Sequence, residues 1–169
     1  MQLEIVQATA DQIETAAAIL EEASQTQRDH GFRGWPIPFP RERLIERFTI
    51  GAIFLAVRDG AAIGTFSLQP FDPPFWGEQP PIAVYLHGLA IRRRAAGQGV
   101  GRAMLGWAEH RTAAQGKPYL RLDTLADDPG ICRYYEQAGY RDCGTIWVDQ
   151  FHARLFEKRV LEPSHDQTT

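Results

Sequence analysis

The sequence predicts a mixed α/β domain, of the α+β or α/β type, built on one mixed sheet. Segments with alternating apolar residues and segments with one apolar stripe follow one another along the 169 residues. A glycine-rich turn between a strand and a helix is typical of a right-handed crossover between parallel strands, and an Asp-Gly turn between apolar segments is typical of an antiparallel hairpin. Both kinds of pairing in one chain predict a mixed sheet. We assign residues 1–161 to a single domain and residues 162–169, EPSHDQTT, to a polar tail.

The chain opens with a strand and a long helix. Apolar and polar residues alternate over residues 1–7, which predicts the strand. Thr9 followed three positions later by Gln12 is typical of a capping box, and it predicts a helix with one apolar stripe over about residues 11–27. Gly and Pro then recur through residues 30–40, so this segment is expected to be a loop.

A short helix is expected over residues 41–48, followed by two antiparallel strands. The apolar segments 52–57 and 62–68 flank Asp59-Gly60, a turn sequence that favours a tight hairpin. Residues 70–81 contain five prolines together with aromatic residues, so they predict a surface excursion before the next strand.

The centre of the chain predicts a parallel β-α-β unit. Residues 82–91 read as a strand, the turn at residues 97–101 opens a helix that extends to about residue 114, and residues 119–124 form the next strand. The two strands are therefore expected to be parallel neighbours.

The last elements are a helix and a hairpin. Pro129 suits the first turn of a helix that Gly139 ends. The alternating segments 144–148 and 151–160 predict two strands. An exposed edge near residues 151–160 would allow pairing with a second copy to form a homodimer.

Composition and charge exclude several classes of protein. The chain is 44% hydrophobic with a net charge of -3 and pI near 5.9, so no basic excess exists for binding nucleic acid. No basic leader with an apolar run opens it, and no stretch approaches the roughly 18 apolar residues of a membrane span. We expect a cytoplasmic protein without a membrane partner. The two cysteines, Cys132 and Cys143, lack the spacing of a metal site and are expected to be reduced and structural.

The glycine turn is the most informative motif. Gly97, Gly99 and Gly101 stand where a strand turns into a helix, and unpaired N–H groups at a helix N-terminus bind phosphate oxygens. A dinucleotide fingerprint would need a third glycine where Arg102 stands, although Asp123 lies about 20 residues on, as that motif requires. A nucleotide P-loop is excluded because Lys and Ser/Thr do not follow the turn. A turn that merely packs strand against helix remains the structural alternative.

Four motifs in order identify a family resemblance. Leu-Ala-Ile at 89–91, the glycine turn, Leu-Arg-Leu-Asp at 120–123 and Arg-Tyr-Tyr-Glu-Gln-Ala-Gly-Tyr at 133–140 resemble the GNAT acyl-CoA N-acyltransferase family over about residues 82–140. The resemblance implies a mostly antiparallel sheet of about seven strands, flanked by about four helices, with a splayed parallel pair at the cofactor site. It also implies transfer of acetyl from acetyl-coenzyme A (acetyl-CoA) to a primary amine, of a small molecule or a peptide, by direct attack in a ternary complex. No metal is implied.

The resemblance assigns the cofactor to the splayed strand and the turn. The pantetheine arm would pair with the strand backbone, an N–H there (Leu89) would bind the oxyanion, and the turn would bind the pyrophosphate. Ala96 departs from the Arg or Gln of the family. Arg92 to Arg94 are the candidates to replace that charge, and a solvated basic segment after the strand is the alternative. Asp128 stands where many members carry Asn, and it suits a helix cap equally well. The implied residues are Leu89, Ala90, Ile91, Ala96, Gly97, Gln98, Gly99, Val100, Gly101, Arg102, Asp128 and Tyr135.

The chemistry needs an acid for the leaving thiolate and a base for the amine. Tyr135 matches the family tyrosine near the cofactor sulfur, and the alternative is that Tyr134 and Tyr135 are packing aromatics. Strand alternation places Tyr85, His87 and Leu89 on one face, where some family members carry a base. His87, alone or through a water shared with Tyr85, is therefore the candidate base, and a satisfied strand histidine is the alternative.

The acceptor site is predicted only from composition. Trp35, Phe39 and Trp76 lie in the two Pro-rich loops, and with Asp72 and Glu78 they are compatible with a cationic amine. Ordinary surface loops packed by their own aromatics are the alternative.

Two other functions of the protein stay open at this point: an acyl-CoA-binding module without catalysis, and a dinucleotide-binding enzyme with a distorted turn.

Overall fold

The computed structural model describes residues 2–162 and contains one seven-stranded sheet with five helices in that range. The strands are β1 Glu4–Gln7, β2 Ala52–Arg58, β3 Ala61–Gln69, β4 Ala83–Ile91, β5 Tyr119–Leu125, β6 Arg141–Val148 and β7 Phe151–Arg159. The helices are α1 Ile13–Asp29, α2 Arg41–Ile50, α3 Pro73–Trp76, α4 Val100–Ala114 and α5 Pro129–Gln137. The predicted polar tail lies outside the described residues except for Glu162. No described helix is both long and apolar enough to cross a membrane.

The sheet is mixed, as predicted, with a single parallel pair. Its order is β1-β2-β3-β4-β5-β7-β6, and β4 and β5 are parallel while the other neighbours are antiparallel. Helix α4 connects the two parallel strands, which confirms the predicted β-α-β unit. A dinucleotide-binding fold is built on a mainly parallel sheet, so this topology contradicts that alternative.

The helices cover both faces of the sheet and produce two apolar clusters. One cluster joins α4 and α5 to the central strands, and it includes Met104, Leu105 and Phe156, each at most 1% exposed. The other joins α1 and α2 to the opposite face, with Leu20 and Leu44 among its buried residues. Each fully buried leucine or phenylalanine stabilises the fold by roughly 1.5–3 kcal/mol, so the sheet and its strand ends are held firmly.

Local turn chemistry behaves as the sequence indicates. The Thr9 backbone N–H donates to Oε1 of Gln12 at 2.9 Å, although a 3-10 turn intervenes, so α1 itself begins at Ile13. Asp59 and Gly60 have φ values of 54° and 75°, as the tight hairpin turn between β2 and β3 requires.

The C-terminal strands differ from the prediction in extent and position. β6 begins at Arg141, three residues earlier than predicted, because a register shift between Asp142 and Thr145, with Gly144 at φ 92°, interrupts the alternation. β7 lies between β5 and β6, so the expected free edge near residues 151–160 is wrong. The edges of the sheet are β1 and β6 instead.

The two cysteines have different environments. Both are free, which agrees with the predicted reduced state. Cys132 is buried in the α4/α5 cluster, where it has the expected packing role. Cys143 is exposed on the edge strand β6, so it does not contribute to a core.

A bulge in β4 reverses the faces of the strand. Residue 87 pairs with Ser67 and residue 90 with Thr65, which leaves one extra residue on β4, and Gly88 takes φ 60° at this point. His87 faces away from the α4/α5 cluster, whereas Leu89 packs against it. The expectation that Tyr85, His87 and Leu89 share one face is therefore wrong for Leu89.

Candidate active site

The site forms where the two parallel strands part. The ladder between β4 and β5 runs from the pair Ala83 and Tyr119 to the pair Leu86 and Leu122 and then stops. His87 and Asp123 are the first residues beyond it. The separation thus begins earlier along β4 than the predicted 89–91, and the backbone of β4 beyond residue 86 is free on the side of β5.

The glycine turn presents a row of unpaired donors. Gly97 and Gly99 have φ values of 72° and 79°, and Gly99 caps α4, which begins at Val100. Within residues 2–162, no group accepts a hydrogen bond from the backbone N–H groups of residues 97–102. Six unpaired N–H groups at the positive end of a helix dipole form a cradle for an anion such as a pyrophosphate. The side chain of Val100 is buried in the core, so this residue offers its N–H alone.

The three glycines are needed for different reasons. A Cβ at Gly97 or Gly99 would meet no atom within 4 Å, so these positions favour glycine because of their positive φ values and not because of crowding. A Cβ at Gly101 would lie 2.6 Å from the Tyr134 hydroxyl and 3.0 Å from Cδ1 of Ile91. Gly101 therefore lets the helix approach both the splayed strand and α5.

The arginines beside the turn divide into two groups. Arg92 donates from Nη1 to Oε2 of Glu22 at 2.8 Å, and the backbone N–H of Arg93 donates to the same carboxylate at 2.9 Å. These residues tie the turn to α1, so they do not replace the charge that Ala96 lacks. Arg94 and Arg102 are exposed, and their side chains donate no hydrogen bond to any described residue. They are the cations available to a phosphate.

Two other predicted cofactor residues hold local structure. The Gln98 amide donates to the carbonyl of Arg94 at 3.0 Å and accepts from Nη2 of Arg58 at 2.7 Å. Asp128 caps α5, because its Oδ1 accepts from the backbone N–H groups of residues 130 and 131 at 3.0 and 3.2 Å. The cap interpretation of Asp128 is thus confirmed.

His87 lies between two buried carboxylates. Its Nε2 is 3.5 Å from Oδ2 of Asp72, and its Nδ1 is 4.0 Å from Oδ1 of Asp123. The three side chains are 11%, 7% and 13% exposed respectively. Nε2 of His87 is one of two buried side-chain polar atoms without a hydrogen-bond partner in the described chain, and the other is Nε1 of Trp76. Unpaired buried polar atoms are rare and are expected where a ligand binds.

Burial lowers the pKa of His87 and raises the pKa values of Asp72 and Asp123, so the carboxylates hold a proton more readily than the imidazole does. Burial and the charge of Arg47 lower the pKa of His87 to about 3, so the imidazole is neutral. Burial raises the pKa of Asp72 to about 6 against the opposing effect of Arg47. Burial and the neighbouring Asp72 raise the pKa of Asp123 to about 7. At neutral pH the groups that exchange a proton are therefore the two aspartates, and the histidine alone is a poor base.

Tyr85 belongs to a neighbouring buried network. Its hydroxyl accepts a hydrogen bond from Nη1 of Arg121 at 2.9 Å, and Arg121 also donates to Glu157 at 2.8 Å. The ring of Trp76 lies edge-on to Tyr85 at 6.0 Å, with the Arg121 guanidinium 4.8 Å from the Trp76 ring centre. Among the described residues the Tyr85 hydroxyl has no other hydrogen-bond partner, and a link to His87 through a shared water stays a prediction.

Tyr135 and its neighbour have separate surroundings. Tyr135 is 5% exposed and packs between Tyr140 and Phe156, with ring centres 5.8 and 5.7 Å away. Burial raises its pKa, with smaller contributions from Tyr134 and Asp123, so the phenol is protonated at neutral pH. Tyr134 is half-buried and places its hydroxyl against Gly101.

The predicted acceptor residues are only partly at the site. Phe39 is 1% exposed in the α1/α2 core, and Trp35 packs against that core edge-on to it at 6.5 Å. A packing role, not a pocket wall, is therefore the correct interpretation of Phe39. Trp76 lies beside Tyr85, next to the Asp72, His87 and Asp123 cluster.

A cavity of about 240 Å³ opens further along β5. It is lined by Gly31, Phe32, Arg33, Leu125, Asp127, Trp147, Gln150, Phe151 and His152.

Sequence reasoning missed Arg47 and the grouping of the cluster. Asp72 was named only as a charge for a cationic amine, and Asp123 only as part of a sequence motif. Asp72 comes from the excursion before α3, Asp123 from β5 and Arg47 from the last turn of α2. No spacing in the sequence relates the three residues to His87, because each comes from a different element.

A mostly antiparallel sheet with one splayed parallel pair, followed by an anion cradle, defines the class of acyl-CoA-dependent transferases. A sequence profile described as "Acetyltransferase (GNAT) family" matches residues 17–140. The chain belongs to this family and is an acetyl-CoA-dependent acetyltransferase.

Relatives and solved structures agree with this assignment. The chain is 29% identical over 164 residues to the uncharacterized N-acetyltransferase YesJ of Bacillus subtilis (strain 168), covering 90% of this chain and 88% of that protein. A GNAT-family acetyltransferase from Listeria monocytogenes 4b F2365 has the same fold, with a TM-score of 0.76 at 19% identity, over 93% of this chain and 94% of that one. A GNAT acetyltransferase from Elizabethkingia anophelis with acetyl-CoA bound gives a TM-score of 0.67 at 17% identity over 93% and 97%.

Proposed function

We propose that this enzyme transfers acetyl from acetyl-CoA to a primary amine that binds beside His87, by direct attack in a ternary complex. The observation that carries the proposal is the position of the Asp72, His87 and Asp123 cluster at the point where β4 and β5 part. An attacking amine must lose its proton near the thioester, and the cluster places groups that exchange a proton at the end of the β4–β5 ladder. A cofactor-binding module without catalysis would have no need for buried, unpaired charges at this point.

The cofactor has two points of attachment in this proposal. The backbone of Leu89, Ala90 and Ile91 is the freed edge that the pantetheine arm pairs with, and Ala90 and Ile91 remain paired to β3 on their other side. The N–H groups of residues 97–102 hold the pyrophosphate, with Arg94 and Arg102 beside it. Both contacts with the cofactor are made chiefly by the main chain, so the replacement of the family Arg or Gln by Ala96 is tolerated.

The proton of the amine goes to the carboxylates. An alkyl ammonium has a pKa of about 10.4 and must lose a proton before it attacks. Asp123, with its pKa raised to about 7, is ionised often enough at neutral pH to accept that proton. His87 is neutral and lies between the two carboxylates, with its nitrogens 3.5 and 4.0 Å from their oxygens. These contacts would shorten to hydrogen bonds when the amine binds, and His87 would then pass a proton from one carboxylate to the other.

The remaining steps balance the reaction. The amine nitrogen forms a bond to the thioester carbonyl carbon, and the resulting oxyanion accepts a hydrogen bond from the Leu89 N–H. The carbon–sulfur bond then breaks, and Tyr135 gives its proton to the departing thiolate. The buried phenol is protonated at neutral pH and so is ready to donate.

A bound metal is not part of the proposal. The ligand atoms of Asp72, His87 and Asp123 all lie within 4.8 Å of one another, which makes a cation conceivable. The two carboxylates, however, face different nitrogens of one imidazole, and a single ion binds only one of those nitrogens. We expect dialysis against a chelator to leave the turnover unchanged, and a loss that Zn²⁺ restores would contradict this.

Thiol release tests the function. Wild-type enzyme with acetyl-CoA is screened against amino acids, alkyl amines, aryl amines, polyamines and peptide N-termini, and CoA release above the rate without acceptor is expected with at least one class. Thermal stabilisation by acetyl-CoA is measured in parallel. Stabilisation without amine-dependent thiol release from any class would favour the binding module, and absence of both would contradict the whole assignment.

A further inference from the structure

Arg47 is a charged side chain at the cluster without a protein partner. Its Nη1 lies 2.8 Å from the position that a Cβ on Gly88 would take, so the guanidinium rests against the bulge of β4, one residue from His87. Within residues 2–162 it donates no hydrogen bond and forms no ion pair within 4.0 Å. Among the described residues its one cation–π contact is with Phe39, whose ring centre lies 5.5 Å from Cζ of Arg47.

The guanidinium is nevertheless close to the charges of the site. Asp123 and Asp72 both act on its pKa, and its charge in turn lowers the pKa of His87. Burial lowers the pKa of Arg47 to about 10, so it stays charged at neutral pH although it has lost much of its water. A desolvated charge with unused donors is costly, and such groups are normally paired. The Arg47 guanidinium beside Gly88 and the two carboxylates beside His87 thus place opposite charges next to two consecutive residues of β4.

We infer that the acceptor is an aminocarboxylate, such as a free amino acid, whose carboxylate binds Arg47 while its amine faces Asp123. The inference rests on the proposed function. A guanidinium offers five N–H donors in a planar fork that matches a carboxylate with two parallel hydrogen bonds. In a zwitterion the ammonium and the carboxylate are only a few bonds apart. Such a ligand can therefore reach the guanidinium beside Gly88 and a carboxylate beside His87 at the same time. A plain alkyl amine would satisfy the aspartates and leave Arg47 unpaired.

Matched acceptors test this inference directly. Three pairs differ only in the carboxylate: leucine and 3-methylbutylamine, phenylalanine and 2-phenylethylamine, lysine and 1,5-diaminopentane. For each pair, kcat/KM for thiol release is measured with wild type, Arg47→Gln, Arg47→Lys and Arg43→Gln. Arg43 lies on the same helix, one turn earlier, and is exposed, so its variant controls for the loss of one positive charge. The ratio within a pair is compared between variants, so the different basicities of the two amines cancel.

We expect Arg47→Gln to lose the preference of the enzyme for amino acids over the matching amines. Arg47→Gln should reduce the amino acid to amine ratio by about 10- to 100-fold, as the loss of a charge-assisted pair implies. Arg47→Lys should keep part of the ratio because it keeps the charge without the fork, and Arg43→Gln should leave it unchanged. A ratio that survives Arg47→Gln overturns the inference. So does a loss of stabilisation by acetyl-CoA in Arg47→Gln, which would assign the residue to the cofactor.

A second readout separates this inference from the proposed function. Melting temperatures are measured with CoA present and each acceptor added, which reports binding without turnover. Absence of thiol release from every acceptor would contradict the proposed function alone. The inference would still stand if the amino acids stabilise wild type more than their amines do and Arg47→Gln removes the difference. Equal stabilisation by both members of each pair would overturn it.

Discussion

His87 and Asp123 occupy the first positions beyond the last paired residues of the two parallel strands, with Nδ1 and Oδ1 4.0 Å apart. The strand backbones separate at this point, so the residues meet through their side chains alone. The freed main chain and the proton-accepting group therefore arise at the same place in the sheet.

Asp123→Asn should remove the main proton acceptor. We expect kcat/KM to fall by about 10²-fold or more, the usual worth of a positioned base. In wild type, activity should rise as pH passes through about 6 to 7, where the pKa values of the aspartate pair lie. The measurement is kcat/KM against pH with amines of different basicity, and Asp149→Asn, at an exposed turn, is the control. A normal rate and pH profile in Asp123→Asn would exclude Asp123 as the base.

His87→Gln separates the histidine from the aspartates. Because the pKa of His87 is lowered to about 3, its own titration lies below the assay range. We expect a reduced kcat, since the link between the carboxylates is lost, and an acidic limb that persists near pH 6 to 7. Loss of that limb in His87→Gln, with unchanged acetyl-CoA binding, would instead make the histidine the titrating base.

Tyr135→Phe should lower kcat by about 10²- to 10⁴-fold while acetyl-CoA still stabilises the protein, because a positioned proton donor is removed. Tyr134→Phe is the matched control. The Tyr134 hydroxyl lies against Gly101, so this variant is expected to change the KM for acetyl-CoA modestly and leave kcat near wild type. Similar small effects of both substitutions would return Tyr135 to a packing role.

Gly99→Val should abolish stabilisation by acetyl-CoA. The substitution adds a branched side chain above the cradle and strains a residue at φ 79°. Gly60→Val is the control, since Gly60 has φ 75° in the distant β2–β3 turn and also has nothing within 4 Å of its added Cβ. Both variants should lose comparable intrinsic stability, and only Gly99→Val should lose the ligand-induced shift in melting temperature. Normal binding by Gly99→Val would place the pyrophosphate elsewhere.

Stability should reveal the buried charge of Asp123. A carboxyl group whose pKa is raised in the folded state favours folding below its unfolded pKa of about 3.9, and this contribution is lost as pH rises through the folded value of about 7. Asp123→Asn cannot ionise, so it should unfold at a higher temperature than wild type at pH 8, by an amount equivalent to about 2–4 kcal/mol. The advantage should vanish near pH 4. A less stable variant at pH 8 would show that the ionised carboxylate is well paired.

The order of elements and the cofactor turn were predictable because they depend on local patterns. Alternation, the Asp59-Gly60 turn and the Gly97, Gly99 and Gly101 series act over a few residues, where backbone conformation is decided by the residues themselves. The parallel pair followed from the strand, turn, helix and strand sequence. The family resemblance rests on the glycine series together with three other short motifs, at residues 89–91, 120–123 and 133–140.

Tertiary structure alone decided which groups act together and in which charge state. The bulge at Gly88 reversed the faces of β4, the position of β7 inside the sheet moved the free edge to β6, and burial made Phe39 a core residue. Folding also brought Arg47, Asp72, His87 and Asp123 together from four elements and moved proton affinity from the histidine to the aspartates. The physical reason is that burial and Coulomb interactions depend on distances in space, and a sequence specifies those distances only through the complete fold.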